Sequence, residues 1–166
     1  AKAGEETSIF LKMNSLTDRQ LIDALKEASQ AGVKIKMIIR GICCILPGIE
    51  GKTDNIEVIS VVGRFLEHSR IFCFGTGENM KMYIASADWM TRNTENRVEI
   101  AAPIYDQKIK NSIYDTLRIM WKDNLKARIL CSDGTYKKPE IKEGDELIDC
   151  QNYLRHEYKV GRKIKL

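Results

Sequence analysis

The alternation of apolar and polar positions along the chain predicts strands and helices in an order typical of an α/β domain. An apolar run at 8–16 predicts a strand, and 17–32 follows with the three- and four-residue spacing of a helix. Residues 33–41 predict a second strand. Because the strand, the helix and the strand follow one another closely, we expect the two strands to pair in parallel through a right-handed crossover.

The rest of the chain adds further strands and two more helices. Strands are predicted at 56–63, 69–75, 81–86, 97–104 and 126–131, and helices at 106–122 and 146–159. The polar turn at 76–80 predicts a hairpin. Together these elements predict a single α/β domain over 1–166, with a mixed β-sheet and helices on its faces. We expect 132–166 to form a connector, a short helix and a basic tail.

Composition limits the class of protein. With 43% apolar residues the chain can build a core. No apolar run reaches the roughly 18 residues that a membrane-spanning helix needs. The five cysteines include no CxxC pair and lie mostly among apolar residues, so we predict reduced core thiols in a cytoplasmic protein and no metal site. The net charge of +4 permits an anionic partner but does not require one.

Cations and hydrogen-bond donors cluster at the predicted strand ends, where open α/β sheets bind their ligands. Guanidinium, amide and hydroxyl groups suit phosphate oxygens. Arg40 is the strongest candidate, because a guanidinium within an apolar run is costly to bury without a partner. The others are Lys12, Asn14, Arg64, His68, Arg70, Ser86, Asp88, Arg92, Asn93 and Arg97. The chain has no Gly-rich phosphate loop, which excludes a P-loop protein.

The segment VVGRFLEHSRIFCFG, at 61–75, carries one of the two histidines of the chain. His68 and Arg70 are two residues apart, so a strand would direct both side chains to the same face. A lone histidine is more often structural than catalytic, and this segment alone leaves both interpretations open. The other histidine, His156, falls in a polar predicted helix, where we expect it to be exposed.

Several segments together resemble one family. KMNSL, LIDALKEASQAGVKI, IIRGICCILPGI, VVGRFLEHSRIFCFG and YIASADWMTRNTENRVEIAAPI are similar, in order and spacing, to the C-terminal domain of bacterial polyphosphate kinase of the phosphohistidine type. The resemblance spans about residues 8–131. It implies a phospholipase D-like domain, the second of two such domains in the C-terminal half of the family's enzymes.

The resemblance implies reversible transfer of the terminal phosphate of ATP to inorganic polyphosphate, through a phosphohistidine in the preceding domain. His68 matches a histidine that faces this nucleophile and binds phosphate or transfers a proton. Arg40 matches an arginine that binds nucleotide phosphates, and Arg70 stands where the superfamily has the lysine of a His-x-Lys motif. The remaining members of the predicted ATP/phosphate-binding set, Ser86, Asp88, Arg97, Lys12 and Asn14, match more loosely or follow from their strand-end positions.

The family also implies partners. ATP and ADP, inorganic polyphosphate and the preceding domains of the same enzyme are expected, with Mg²⁺ accompanying ATP on ligands outside this chain. The full-length enzyme is expected to be a cytoplasmic homo-oligomer that binds no nucleic acid, and peripheral association with a membrane stays open. Without the preceding domain, this one is expected to have little or no activity.

Two other functions stay open on the sequence. A phospholipase D-like phosphodiesterase needs two histidine motifs, so this chain would have to act as a homodimer. A non-catalytic polyanion-binding module would depend on Arg40 and Arg70 and would tolerate the loss of His68.

Overall fold

Eight strands form one mixed sheet in the computed structural model, which describes residues 1–161. The strands are β1 (Ser8–Met13), β2 (Lys34–Ile39), β3 (Ile56–Val61), β4 (Arg70–Phe74), β5 (Lys81–Ala85), β6 (Ala101–Ile104), β7 (Ala127–Leu130) and β8 (Tyr136–Lys137). The helices are α1 (Arg19–Gln30), α2 (Thr91–Asn96), α3 (Gln107–Trp121) and α4 (Cys150–Lys159). The fold is therefore the predicted α/β architecture.

The order of strands in the sheet is β6-β5-β4-β1-β2-β3-β7-β8. β1 pairs with β2, and β2 with β3, in parallel, whereas the other neighbours are antiparallel. The structure thus confirms the parallel pairing across α1, the β4–β5 hairpin and the mixed sheet. The carboxyl ends of β1, β2 and β3 point to one edge of the sheet, where side chains from several segments can meet.

Helices cover both faces of the sheet, because apolar side chains alternate to both sides of the central strands. On one face, Ile22 and Leu25 of α1 join the buried cluster of Leu11 and Met37. On the other face, Phe10 meets the rings of Tyr114 and Trp121 of α3 edge-on, with centroids 5.9 and 5.6 Å away. The apolar face of α4 packs into this second cluster.

Local details differ from the predicted elements at several places, among them the short strand β8 within the predicted connector and the start of α4 at Cys150 rather than at residue 146. Asp18 rather than Thr17 caps α1, since its side chain accepts a hydrogen bond from the backbone N–H of Leu21 at 3.0 Å. The six-residue helix α2 occupies part of a predicted loop, and β6 begins at Ala101 rather than at residue 97. Of the predicted tail, residues 162–166 lie outside the described residues.

The cysteines of the described chain are free, and two of them, Cys73 and Cys150, are buried. Burial raises the pKa of the Cys73 thiol to about 12, which makes it an inert packing group. Cys44 is exposed, so the interpretation as core thiols does not extend to it. Among residues 1–161 the helices are all too short or too polar to cross a membrane.

Gly41 marks a close approach between two strand ends. Its N–H donates to the backbone oxygen of Asn14 at 2.8 Å, and a Cβ at this position would lie 2.8 Å from that oxygen and 2.9 Å from the Ser15 hydroxyl oxygen. The glycine therefore lets the ends of β1 and β2 close on each other. The close approach at this glycine is thus between two parts of the chain itself.

We expect Gly41→Ala to lower the free energy of unfolding by about 1–3 kcal/mol, because a backbone oxygen cannot move aside as a side chain can. Urea unfolding of the domain measures this change. The double variant Gly41→Ala/Ser15→Ala serves as control, since it removes the hydroxyl and leaves the carbonyl. If the double variant regained wild-type stability, the clash would lie with Ser15 and the explanation would be wrong.

Candidate functional site

The carboxylate of Asp88, in the loop after β5, holds together two chain segments at the strand-end edge. It accepts hydrogen bonds from the backbone N–H of Asn14 at 2.6 Å and from the Asn14 side-chain amide at 3.0 and 3.1 Å. Arg70, at the start of β4, donates from Nε at 3.3 Å and from Nη2 at 3.1 Å. Asp88 is 7% exposed, so this charge is compensated almost wholly by protein donors.

The donors around Asp88 outweigh its burial. Desolvation disfavours the carboxylate, but the hydrogen bonds from Arg70 and Asn14 and the charge of Arg70 together lower the pKa of Asp88 below its ordinary value. At neutral pH the group is therefore ionised and acceptor-only. It does not act as a proton donor in this state, and its role is to orient its neighbours.

Asn14 relays this orientation to Arg40. Its side-chain oxygen accepts from Arg40 Nε at 2.6 Å, and the backbone oxygen of Glu67 accepts from the same nitrogen at 3.0 Å. The guanidinium is thus fixed through Nε. Its Nη2 lies 3.3 Å from Nδ1 of His68, and its Nη1 has no hydrogen-bond partner among residues 1–161. A fixed, half-buried guanidinium with a free edge can bind an oxyanion at little entropic cost.

His68 lies in a loop, not on a strand. β3 ends at Val61 and β4 begins at Arg70, so the predicted shared strand face for His68 and Arg70 is wrong. The His68 backbone is held by its N–H to Leu66 O at 3.1 Å and by Arg70 Nη1 to His68 O at 3.2 Å. Its ring is exposed, and Nε2 has no hydrogen-bond partner within the described residues.

The contact with Arg40 decides which ring nitrogen of a neutral His68 carries the proton. Arginine has no acceptor, so Nη2 must donate and Nδ1 of His68 must accept. The hydrogen of the neutral imidazole then resides on Nε2, at the exposed edge of the ring. Arg40 and His68 therefore present N–H donors side by side.

Lys12 is buried, whereas a side chain that binds phosphate at the exposed edge has to reach the surface. Lys12 is 2% exposed, and its ammonium donates to Ser69 Oγ at 2.8 Å and to Ser69 O at 3.1 Å. Glu67 Oε2 lies 3.5 Å away. Burial lowers the pKa of Lys12, and the Glu67 carboxylate partly opposes this effect. The sequence predicts that Lys12 contacts phosphate, whereas in the structure its ammonium binds Ser69 and Glu67 on the buried side of the loop that carries His68.

Ser86 and Arg97 form a separate pair. The Ser86 hydroxyl donates to the Glu99 carboxylate, and Arg97 Nε lies 3.4 Å from Oε1 of the same group. Within the described chain, no hydrogen bond or ion pair connects this pair to Arg40 or His68. Six of the eight predicted residues thus share one network, and the roles of these two as phosphate contacts stay predictions.

Sequence reasoning missed three residues of this network. Glu67, Ser69 and Gln151 all bond to the loop or to the buried Lys12. Glu67 and Ser69 adjoin His68, but on the predicted strand their side chains would face away from those of His68 and Arg70. Gln151 lies more than eighty positions further along the chain, and no local pattern connects it with the loop.

We expect Asp88→Asn to lower the free energy of unfolding at pH 7 by about 3 kcal/mol, because Arg70 would lose its compensating charge in a buried place. The folded-state pKa of Asp88 is depressed, so its contribution is present above the ordinary value of 3.8 and disappears as the pH falls through the lower folded value. Urea titrations of wild type and variant at several pH values should therefore converge at acid pH. Asp54→Asn, at an exposed loop position, is the matched control. A difference that stayed constant with pH would contradict this account of Asp88.

Comparison with known proteins identifies the family. A family model described as "Polyphosphate kinase C-terminal domain 2" matches residues 1–151. The polyphosphate kinase of Thermosynechococcus vestitus is 50% identical over 145 residues, which are 87% of this chain and 20% of that protein. That of Vibrio cholerae is 44% identical over 170 residues, covering 99% of this chain and 24% of that protein. The chain thus spans about a fifth to a quarter of these relatives.

Solved structures agree with this result. The polyphosphate kinase of Porphyromonas gingivalis superposes with a TM-score of 0.91 and 38% identity, over 96% of this chain and 24% of that one. Nuc from Salmonella typhimurium, a phospholipase D family member, gives a TM-score of 0.55 with 17% identity, over 84% of this chain and 87% of its own. The second likeness concerns the fold alone and confirms the phospholipase D-like architecture. The chain belongs to the polyphosphate kinase family, and the part of those enzymes that it matches is their C-terminal domain 2.

Proposed function

We propose that this domain supplies one half of the ATP and polyphosphate site of a polyphosphate kinase. The contact that carries the proposal is the one between Arg40 Nη2 and His68 Nδ1, at 3.3 Å, which sets two N–H donors side by side at an exposed strand-end edge. A second cation, Arg70, is held close by through Asp88 and through its hydrogen bond to the backbone oxygen of His68. The match to polyphosphate kinases over most of the chain supports the choice of substrate class.

The proposed reaction has two balanced steps. A nitrogen of a histidine in the preceding domain attacks the terminal phosphorus of ATP, an N–P bond forms, and the P–O bond to ADP breaks. The terminal oxygen of polyphosphate then attacks the phosphorus of the phosphohistidine, a P–O bond forms, and the N–P bond breaks to release the histidine. Such transfers need positioning and neutralisation of charge on the phosphoryl oxygens more than covalent chemistry.

In this reaction Arg40 and His68 act as donors to phosphoryl oxygens. Arg40 contributes a fixed positive charge, and its Nη1 can donate to a phosphoryl oxygen on which negative charge develops during the transfer. His68 contributes Nε2–H, because Arg40 occupies Nδ1. This arrangement favours phosphate binding over proton abstraction as the role of His68, since a neutral ring with its hydrogen on Nε2 has no free acceptor facing the ligand.

Magnesium accompanies ATP in phosphoryl transfer, but the carboxylates of this site do not fit it. Both oxygens of Asp88 accept from Arg70 or Asn14, and those of Glu67 face Gln151 and Lys12. No group of three or more potential ligands that could hold a metal ion occurs within residues 1–161. We therefore assign no metal-dependent step to this domain, and Mg²⁺ with ATP would be held by other parts of the enzyme.

The proposal includes the setting of the domain. It works with the preceding domains, which supply the nucleophilic histidine, in a cytoplasmic, homo-oligomeric enzyme acting on ATP, ADP and polyphosphate. The domain spans residues 1–166, with 132–166 as connector, helix α4 and basic tail. Separated from its neighbours, it lacks the nucleophile and should be inactive.

We expect His68→Ala and Arg40→Ala each to lower kcat for polyphosphate synthesis in the complete enzyme by at least about 100-fold, because each removes a donor to the transferred phosphoryl group. Arg40→Lys should also have a low kcat. A lysine keeps the charge but lacks the several N–H groups with which the guanidinium reaches Asn14 and the ligand at once. ADP release and chain growth are measured at saturating ATP.

His156→Ala is the matched control, because it removes the other histidine of the chain from an exposed face of α4. It should keep wild-type activity. Folding of all variants is checked by thermal unfolding. Wild-type rates for folded His68→Ala or Arg40→Ala would refute the proposed site.

A further inference from the structure

The loop that carries His68 has no regular structure of its own, yet both of its sides are held. It runs from Val62 to Ser69 between β3 and β4. An exposed loop of this kind would ordinarily move on a fast time scale and spread its side chains over many positions. A catalytic donor needs a much narrower placement, since a displacement of about 1 Å can cost about 100-fold in rate.

Helix α4 holds the first half of this loop through one side chain, Gln151. Its Oε1 accepts from the backbone N–H of Phe65 at 2.9 Å, and its Nε2 donates to the backbone oxygen of Phe65 at 2.8 Å. The amide therefore pairs with Phe65 as a neighbouring strand would. Nε2 also donates to Glu67 Oε1 at 2.9 Å, so all three polar hydrogen-bonding contacts of this amide go to the loop. Gln151 is 6% exposed.

The contacts continue from Gln151 to the second half of the loop. The other oxygen of Glu67 faces the Lys12 ammonium, which donates to both oxygens of Ser69. Glu67 and Ser69 are the two residues that flank His68. The histidine thus sits between two residues that are tied to the buried interior, while its ring faces outward.

We call the hydrogen bonds from Gln151 to Phe65 and Glu67 the clamp, and Gly63 provides the space that it needs. A Cβ at residue 63 would lie 2.5 Å from Gln151 Oε1 and 3.0 Å from Cδ of the same side chain. The backbone of Gly63 does not have a positive φ, so alanine is conformationally allowed there. The absence of a side chain at this position therefore serves the approach of Gln151.

The position of Gln151 is itself set far from the ligand edge. The N–H of Cys150 donates to Asp123 Oδ2 at 2.8 Å, and Cys150 belongs to the same buried cluster as Met120 of α3. Asp149 caps the helix through the N–H of Asn152 at 3.1 Å. The start of α4 is thus a fixed point from which Gln151 reaches the loop.

We propose that Gln151 is a positioning residue for the phosphoryl-transfer reaction: through Phe65 and Glu67 it holds the loop so that His68 meets Arg40 in the productive arrangement. This inference rests on the proposed function and adds to it that α4, outside the stretch of chain with the strand-end residues, sets the geometry of the site. Among the described residues Gln151 makes no hydrogen bond to His68, and it acts through Phe65 and Glu67 of the loop.

The test compares Gln151→Ala, Gln151→Glu and Gly63→Ala in the complete enzyme. Each should lower kcat by about 10- to 100-fold. KM for ATP should change less than about threefold, because Asn14 still holds Arg40. Gln151→Glu retains the volume of the side chain but cannot donate to Phe65 O, and it places a second carboxylate beside Glu67. Gln151→Glu therefore tests the loss of hydrogen bonds without a loss of packing volume. A wild-type kcat in this variant would overturn the proposal.

The double variant Gln151→Ala/Gly63→Ala adds a test of mechanism. Because both single changes break the same clamp, the double variant should be no more than about twofold slower than the slower single variant. Multiplying effects would overturn the shared mechanism. The matched control is Gln30→Ala, which removes an amide that donates to Gly51 O at 2.9 Å on the exposed side of α1 and should keep wild-type kcat.

Hydrogen exchange of the Phe65 amide separates this inference from the proposed function. In Gln151→Ala that amide should exchange at least about tenfold faster than in the wild type. This measurement does not depend on which reaction the enzyme catalyses. An inactive wild type would refute the proposed function alone, whereas unchanged exchange at Phe65 would refute the clamp even in an active enzyme.

Discussion

An ionised carboxylate held almost out of water is the constraint on which this site depends. Asp88 must be surrounded by donors to remain charged, and the chain provides them from two separate places, Asn14 beyond β1 and Arg70 at the start of β4. By satisfying Asp88, these two residues are themselves fixed. Asn14 then has one oxygen left, and it receives Arg40. The orientation of the half-buried Arg40 guanidinium thus follows from the desolvation of the Asp88 carboxylate, which does not itself have to contact a ligand.

A buried cation, Lys12, plays the corresponding part for the loop that carries His68. Lys12 is enclosed below the loop of His68, where Glu67 and Ser69 satisfy its ammonium. Because Glu67 also receives Gln151, a carboxylate and an amide connect the buried cation to α4. Two buried charges, one negative and one positive, therefore each fix one of the two exposed donors. This division between buried orienting groups and exposed acting groups is how a fold places reactive side chains without relying on the stiffness of a loop.

The sequence could predict much of the fold, because the signals are local. The spacing of Ile22 and Leu25 and the apolar strands on either side of α1 sufficed for the parallel pairing. The rule that ligands collect at strand ends was enough to select Arg40, Asn14 and Asp88 together. Contacts over long separations were not predictable in this way: nothing near Gln151 in the sequence indicates its bond to Phe65. The burial of Lys12 was missed although strand alternation places it on the same face as the core residue Phe10, because a lysine at a strand end is usually exposed.

The charge balance of the network is consistent with the proposal that this domain holds one half of a larger site. The network contains three cations and two carboxylates. Lys12 pairs with Glu67 and Arg70 pairs with Asp88, which leaves Arg40 without a carboxylate partner in this network. The network therefore offers a ligand one cation without a carboxylate partner and an N–H of His68. A triphosphate or a polyphosphate carries several negative charges, and an anion of that density needs several cations at once when it leaves water. Under the proposed function, a ligand of this kind would need further cations from outside this network, across the exposed edge.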